Sequence, residues 1–445
     1  MRYHLVTLGC AKNVADSERI TRVLGHGSHV EVSLPRDADV LIVNTCGFID
    51  AAKAESVDTI VQLAAKKRRG QRLVVAGCLT ALHGQELRAE IPQIDAVFGA
   101  EDWTGIGAYA QTIEPLRLDA QRYHIPETTR AVRPSAYLKI SDGCNAPCTF
   151  CIIPKMKGKL HSSAADDLVA EARRLAAEGV REIVLVAQDS TDYGRDLGLR
   201  DALPDLLERL SDAVPDVPWL RIMYAYPGHV TRRLAETMAR LPNVVPYLDV
   251  PLQHAAPSVL RRMKRPSNDG MVREMIAMLR DEMPDIALRT TFIVGYPGET
   301  EAEFDELLAF VREMAFDHLG CFTFSPQSES PAAHEPDQVP ERVKRRRQRR
   351  LMEVAQQVSL IRNRRLVGRE IDVLVESDTA RGDAAGGFVA GRSYRDAPEV
   401  DGLVLLEGDH RPGDFVRARV TQALAYDLIA TPVTAAVLPA EAALT

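Results

Sequence analysis

Seven cysteines punctuate the 445-residue chain: Cys10, Cys46, Cys78, Cys144, Cys148, Cys151 and Cys321. Three of them fall within eight residues, Cys144-Asn-Ala-Pro-Cys148-Thr-Phe-Cys151, a C-x3-C-x2-C spacing with an aromatic, Phe150, before the third thiol. Three thiolates this close can hold three irons of a cubane. They leave the fourth iron for an exogenous ligand, as catalytic metal sites leave one position open. A three-cysteine zinc knuckle or a reactive thiol cluster is the alternative. The three-residue first gap, and the place of the loop after an apolar strand, are unusual for zinc.

Cys10, Cys46 and Cys78 are 36 and 32 residues apart, and each adjoins a glycine: Gly9-Cys10, Cys46-Gly47 and Gly77-Cys78. Free cysteine is among the most buried residue types, so three core cysteines would be the plain reading. Their glycine-flanked turns argue instead for a shared metal or iron–sulfur site. Zinc would ask for a fourth ligand, whereas three thiols suit a 4Fe–4S cluster with one open iron better. Cys321 lies inside a predicted strand and reads as a small buried hydrophobe.

The elements that must position these thiols alternate between strand and helix. Strands are expected at Tyr3–Leu8, Ala38–Val43 and Arg72–Ala76, with helices at Asp16–Leu24 and Ala51–Lys67. Such alternation implies a parallel sheet, whose functional crevice lies outside the strands' carboxyl ends. Each of the three strands delivers one cysteine there. Beyond the cysteine loop, strands are expected at Tyr137–Ile140, Glu182–Ala187, Trp219–Ala225, Tyr247–Pro251, Leu288–Val294 and His318–Phe324. Helices such as Ala165–Glu178 and Glu301–Met314 lie between them, which predicts an open (β/α)6 barrel. Polar residues and glycines cluster at its strand ends: Gln188-Asp189-Ser190, Tyr224-Ala-Tyr226-Pro-Gly228, Leu252-Gln253-His254 and Gly295-Tyr-Pro-Gly298-Glu299. After Gly368 come short strands at Glu370–Glu376, Gly387–Gly391, Leu403–Leu406, Asp414–Ala423 and Ala425–Ala430, punctuated by Gly382-Asp383, Gly386-Gly387 and Gly408-Asp409. They predict a small antiparallel barrel.

Composition sets the bounds. Apolar residues are 46% and charged residues 26%, with a net charge of −7, which excludes a disordered or fibrous chain. No run approaches the ~18 apolar residues of a membrane span. The opening residues lack the pattern of a signal peptide, so a cytoplasmic protein is expected. Glu341–Arg365 reads as a basic helix with ten Lys or Arg against two acids, either a solvated face or a contact for ribosomal RNA. From Leu366 to Pro432 the balance reverses, with seven basic and twelve acidic residues. An acidic domain suits docking of a basic protein better than of a nucleic acid.

At these residues the chain resembles a known family. Cys144-x3-Cys148-x2-Cys151 on a six-strand barrel is the signature of radical S-adenosylmethionine enzymes. Gly9-Cys10-Ala-Lys-Asn13 with Asp16-Ser17-Glu18, Asn44-Thr-Cys46-Gly-Phe48-Ile49 and Gly77-Cys78 look like the amino-terminal domain of the methylthiotransferases, and the tail resembles a TRAM domain. Cys148-Thr-Phe-Cys-Ile-Ile-Pro-Lys-Met-Lys-Gly158, Ala187-Gln-Asp189, Tyr247–His254 and Thr290–Glu299 are similar to the RimO branch, which modifies a ribosomal protein. The resemblance implies three domains: 1–115 with an auxiliary cluster, 130–363 as the radical core and 365–433 as the tail barrel.

It also implies two 4Fe–4S clusters. Cys144, Cys148 and Cys151 would hold the one that binds and cleaves S-adenosylmethionine, which serves as methyl donor and radical source. Cys10, Cys46 and Cys78 would hold the auxiliary cluster that carries the sulfur. Placement and resemblance together make Gln188, Asp189, Gln253 and His254 candidates for catalysis at the barrel mouth. They make Phe150, Gly295, Gly298 and Glu299 candidates for cofactor binding. The implied reaction replaces a hydrogen on the β-carbon of an aspartate of small-subunit ribosomal protein twelve with a methylthio group, fed by a reductant such as flavodoxin or ferredoxin. A tRNA adenosine is the rival substrate. A non-catalytic iron–sulfur carrier or RNA-binding scaffold is the rival of another class.

Overall fold

In the computed structural model, which describes residues 1–27, 29–114, 133–266, 269–377 and 387–433, the chain opens on a five-stranded parallel sheet. Its strands are β1 (Arg2–Thr7), β2 (Val30–Glu31), β3 (Val40–Thr45), β4 (Arg72–Gly77) and β5 (Ala96–Val97), in the order β2-β1-β3-β4-β5. The central β3, Val-Leu-Ile-Val-Asn-Thr, is buried at every position, as befits a strand covered on both faces. Helices α1 (Ala11–His26), α2 (Asp50–Lys66), α3 (Cys78–Glu90) and α4 (Trp103–Gln111) supply those covers. The three strands expected here are present. The two edge strands, of two residues each, are too short to leave a pattern in the sequence.

The second unit begins with β6 (Ser135–Lys139). A two-stranded ribbon, β7 (Ser141–Asp142) with β8 (His161–Ser162), brackets the cysteine loop. The remaining barrel strands are β9 (Glu182–Val186), β10 (Trp219–Ile222), β11 (Val244–Asp249), β12 (Ala287–Val294) and β13 (His318–Thr323). All neighbours pair in parallel in the order β13-β12-β11-β10-β9-β6, and β6 and β13 do not pair, so the barrel is open. The helix Glu301–Met314 begins on a capping box: Thr300 accepts from the Glu303 amide while Glu303 reaches back to the Thr300 amide.

The tail holds β14 (Glu370–Ser377), β15 (Phe388–Arg392), β16 (Val404–Glu407), β17 (Phe415–Ala423) and β18 (Leu428–Pro432), closed in the ring β14-β15-β16-β18-β17. The expectation of a wholly antiparallel barrel needs one correction, because β16 and β18 run parallel. Strand directions cannot alternate all the way round a ring of five, so one pair must be parallel. The expected boundaries at 115 and 130, the Gly382-Asp383 turn and Gly386 lie outside the described residues.

The tail barrel covers the amino-terminal ends of the central strands, opposite the cysteine loop. Trp219, the first residue of β10, meets the Phe415 ring edge-on at 4.8 Å. Arg392 reaches Glu182 and Ser135, the first residues of β9 and β6. Glu182 and Arg221 are fully buried with Arg392 beside them, and the two arginines hold the Glu182 carboxyl down at about 2 against the cost of burial.

Helix Glu341–Arg364 packs along the same core, and most of its charge is committed within the fold. Lys344 donates to the Phe324 carbonyl, Arg347 pairs with Glu299, Arg346 and Arg350 with Glu301, and Arg362 with Asp317. The solvated-face and RNA-contact readings rest on Arg342, Arg349, Arg364 and Arg365, which have no ion pair among the described residues, and on Arg345 and Arg346, whose pairs are exposed. No described helix is long and apolar enough to cross a membrane.

Candidate active site

Cys10 caps the amino terminus of α1, and Cys78 is the first residue of α3. Both thiols sit where a helix dipole favours negative charge. Cys46 follows β3 in a turn, where burial pushes its thiol up and the Phe48 and Gly47 amides oppose that. Two glycines let these turns meet. Gly9 has φ +102°, and a Cβ there would lie 2.7 Å from the Cys46 Cβ. Gly77 has φ +105°, and its Cβ would lie 2.5 Å from the Thr45 carbonyl oxygen. Neither position tolerates a side chain.

The residues around Cys10 lock the strand ends together. Asn13 donates to the Thr45 carbonyl at 2.9 Å, and Asn44 donates to the Asn13 carbonyl and to the Ser17 hydroxyl, each at 2.9 Å. Ser56 accepts from the Cys46 amide and donates to its carbonyl. Asp16 carries the assembly to the barrel: it accepts from Lys139 at 2.6 Å and from Lys157 at 3.0 Å, and both lysines also pair with Asp142. All four groups are nearly inaccessible to water. Burial pushes the Asp142 carboxyl up, but Lys139 and Lys157 hold it well below the usual carboxylate range.

The other cysteine loop is pinned from several sides. Thr149 shares a 2.9 Å hydrogen bond with the Tyr296 hydroxyl and donates to the Arg262 carbonyl, while its amide donates to the Met263 carbonyl. Each sulfur has a donor: the Ala146 amide to Cys144 and the Ile153 amide to Cys151, both at 3.4 Å, and Arg265 to Cys148 at 3.8 Å. The Arg265 guanidinium also lies 4.3 Å from the Tyr226 ring centre. The two cysteine sites are neighbours, because Cys78 packs against Ile152 and Met156, on the segment that directly follows Cys151.

Three family models cover the chain in turn: the uncharacterized protein family UPF0004 over residues 2–99, the radical SAM superfamily over 138–311 and the TRAM domain over 367–433. Among curated relatives, the ribosomal protein uS12 methylthiotransferase RimO of Chloroflexus aurantiacus is 47% identical over 96% of this chain and 99% of the relative. That of Roseiflexus sp. (strain RS-1) is 48% identical over 96% of each. The chain belongs to the RimO family of radical SAM methylthiotransferases. Among solved structures, the radical S-adenosylmethionine methyltransferase TsrM from Kitasatospora setae is similar in fold, with a TM-score of 0.53 at 14% identity, over 86% of this chain and 78% of that one.

Family membership brings 4Fe–4S clusters and S-adenosylmethionine, and the donor sets fit clusters better than single ions. Zn–S bonds of about 2.3 Å would place three sulfurs about 3.8 Å apart. Among the described residues, neither cysteine triad has its sulfurs all within 4.8 Å of one another. Yet within each triad the thiols feel one another's charge: Cys10 and Cys46 act on Cys78, and Cys144 and Cys148 act on Cys151. Three thiols spread more widely than one ion could bind suit a polynuclear group better. Burial pushes the Cys78 and Cys151 thiols up to about 12, so metal loading must displace their protons.

The strand-end residues divide into two groups. Gln188 faces the cysteine loop and donates to Asp142 at 3.4 Å. Asp189 caps the Thr191 amide and accepts from His229 at 3.1 Å. Gln253 has φ +73°, an unusual backbone for a non-glycine residue, and bridges to β12 through the Thr291 carbonyl and the Ile293 amide. His254 stands apart. It is 1% exposed, its Nδ1 accepts from the Ala256 amide, and burial pushes its pKa down to about 3. It braces its own turn as a neutral ring. Glu299 likewise folds back, accepting from the Gly295 and Tyr296 amides and pairing with Arg347. Phe150 packs with Ala256, Met263, Tyr296 and Phe324, joining the cysteine loop to the Gly295–Glu299 turn. Cys321 packs partly buried against the barrel core.

Sequence reasoning singled out none of Lys12, Arg265 or the Asp16–Lys139–Asp142–Lys157 cluster as site residues. One signal was available: Lys139 interrupts the apolar strand Ala-Tyr-Leu-Lys-Ile, where a charge has no place without a buried partner.

Proposed function

We propose that this chain methylthiolates the β-carbon of an aspartate in the small-subunit ribosomal protein uS12. Cys144, Cys148 and Cys151 hold the cluster that engages S-adenosylmethionine, and Cys10, Cys46 and Cys78 hold the auxiliary one. When bound, these groups supply the carbon-centred radical, the sulfur and the methyl group that an unactivated C–H bond demands.

The protein's own contribution is placement. The buried Asp16–Lys139–Asp142–Lys157 cluster fixes the amino-terminal sheet against the barrel, so the two cysteine sites keep one separation. The Thr149–Tyr296 bond fixes the loop against the glycine turn expected to take the cofactor's adenosyl part. Arg265, with no carboxylate of its own among the described residues and Cys148 within reach, is placed to receive the cofactor's carboxylate. Tyr137, Val184, Met223 and Tyr247 form an apolar barrel interior capped by Ala11 and Ala15 of α1, which keeps water from a reactive radical.

The observation that carries this reading is the contact of Cys78 with Ile152 and Met156, which makes two separate three-cysteine sites neighbours. The test is mass spectrometry of recombinant uS12 and of bulk tRNA after incubation with the reconstituted, reduced enzyme. A methylthio adduct on a uS12 aspartate is expected. An adduct on tRNA alone would replace this reading with the tRNA one.

A further inference from the structure

Lys12 lies two residues beyond Cys10, on the first turn of α1, and reaches across to the barrel. Its Nζ sits 3.6 Å from the centre of the Tyr224 ring. Tyr224 follows β10 in a left-handed backbone, φ +63°, held by its amide bonding to Asp249 and its carbonyl accepting from Ser190. A strained non-glycine residue persists only where its surroundings overdetermine it. Here they fix an aromatic face under an ammonium, at the joint between the auxiliary cysteine site and the barrel mouth.

The cation is left over. The acids nearest to it already have partners: Asp249 pairs with Arg289 at 2.9 Å, and Asp142 with Lys139 and Lys157. Cys10 directs its thiol to the Asn13 side chain at 3.5 Å, not to Lys12. Among the described residues, no carboxylate oxygen bonds to Lys12. A part-buried ammonium resting only on a ring is poised for an incoming anion.

We infer that Lys12 binds the side-chain carboxylate of the target aspartate, and so selects a protein substrate over a nucleobase; this rests on the protein-aspartate reading above. The carboxylate carbon is bonded to the β-carbon that reacts, so one ion pair sets where that carbon lies. Lys12 is two residues from Cys10, which puts the β-carbon on the side from which sulfur arrives. Adenine has no carboxylate, and Lys12 offers it nothing equivalent.

The test uses the reconstituted enzyme and two peptides spanning the modified uS12 segment, one with the target aspartate and one with asparagine in its place. Binding is read by fluorescence anisotropy for wild type, Lys12→Met and Lys12→Arg, with iron content and urea stability checked for each. Wild type is expected to prefer the aspartate peptide by about tenfold or more, the scale of one charge-assisted pair. Lys12→Met should reduce that preference to less than about twofold, and Lys12→Arg should retain part of it. Equal binding of both peptides by wild type would overturn the inference, with no variant needed. So would an unchanged preference in Lys12→Met while uS12 is still modified. Modification of tRNA without peptide binding would overturn the protein-substrate reading, and this inference with it.

Discussion

Thr149, inside the cysteine loop, and Tyr296, in the glycine turn after β12, share a hydrogen bond of 2.9 Å between their hydroxyls. The Tyr296 hydroxyl also lies 3.1 Å from the Arg262 carbonyl oxygen, the acceptor that the two hydroxyls share. One phenol therefore ties the loop that carries three thiols to the turn on the far side of the mouth. Tyr296→Phe should cost about 1–2 kcal/mol of stability, since Thr149 keeps its own bond to Arg262. It should also slow cofactor cleavage more than it lowers iron content. Urea denaturation and 5′-deoxyadenosine formation would check both.

The buried charges between the amino-terminal sheet and the barrel predict a larger effect. Lys157→Met removes one of two ammonium groups shared by Asp16 and Asp142. An uncompensated buried carboxylate costs about 3–5 kcal/mol. The loss should appear as earlier denaturation of the whole protein, and sulfur insertion should fall further than cofactor cleavage because the two cysteine sites lose their fixed separation.

At the other end of the barrel, Arg392→Met should also cost about 3–5 kcal/mol, because Glu182 keeps only Arg221. Limited proteolysis should release the tail barrel sooner. Cofactor cleavage below the unfolding temperature should persist, since the tail lies opposite the cysteine loop.

Alternation of strand and helix made the parallel sheet and the open barrel legible, because strands buried on both faces read as apolar runs. Cysteine spacing made both thiol sites legible. What stayed hidden were interactions across units: Asp16 with Lys157, Lys12 over Tyr224, Arg392 on Glu182. Each pairs residues far apart in sequence, and no local period encodes them. His254 shows the converse. Its strand-end position suggested chemistry; in the fold its Nδ1 accepts from the Ala256 amide and its buried Nε2 has no partner among the described residues. On the basic helix, Arg347, Arg346, Arg350 and Arg362 pair with Glu299, Glu301 and Asp317, partners that no local pattern announces.

A pH dependence follows from Asp189 and His229. The hydrogen bond that His229 donates to Asp189 raises the His229 pKa above its ordinary value, against the effect of burial. The charged imidazole is thus stabilised by folding. Its contribution is full below about pH 6.5 and is lost as pH rises through the raised folded value. Asp189→Asn should therefore destabilise the protein more at about pH 5.5 than at about pH 8.5. His229→Gln should flatten that difference, and an imidazole titration by NMR should show the His229 pKa fall in Asp189→Asn.

The central claim is that two neighbouring cysteine sites do different work on one protein substrate. It is tested most directly by quantifying 5′-deoxyadenosine and methylthiolated uS12 in the same reaction with the Cys46→Ala enzyme. The account predicts continued formation of 5′-deoxyadenosine with no methylthiolated product, because Cys144, Cys148 and Cys151 are intact while the sulfur-carrying site is not. Methylthiolated uS12 at the wild-type level would contradict it.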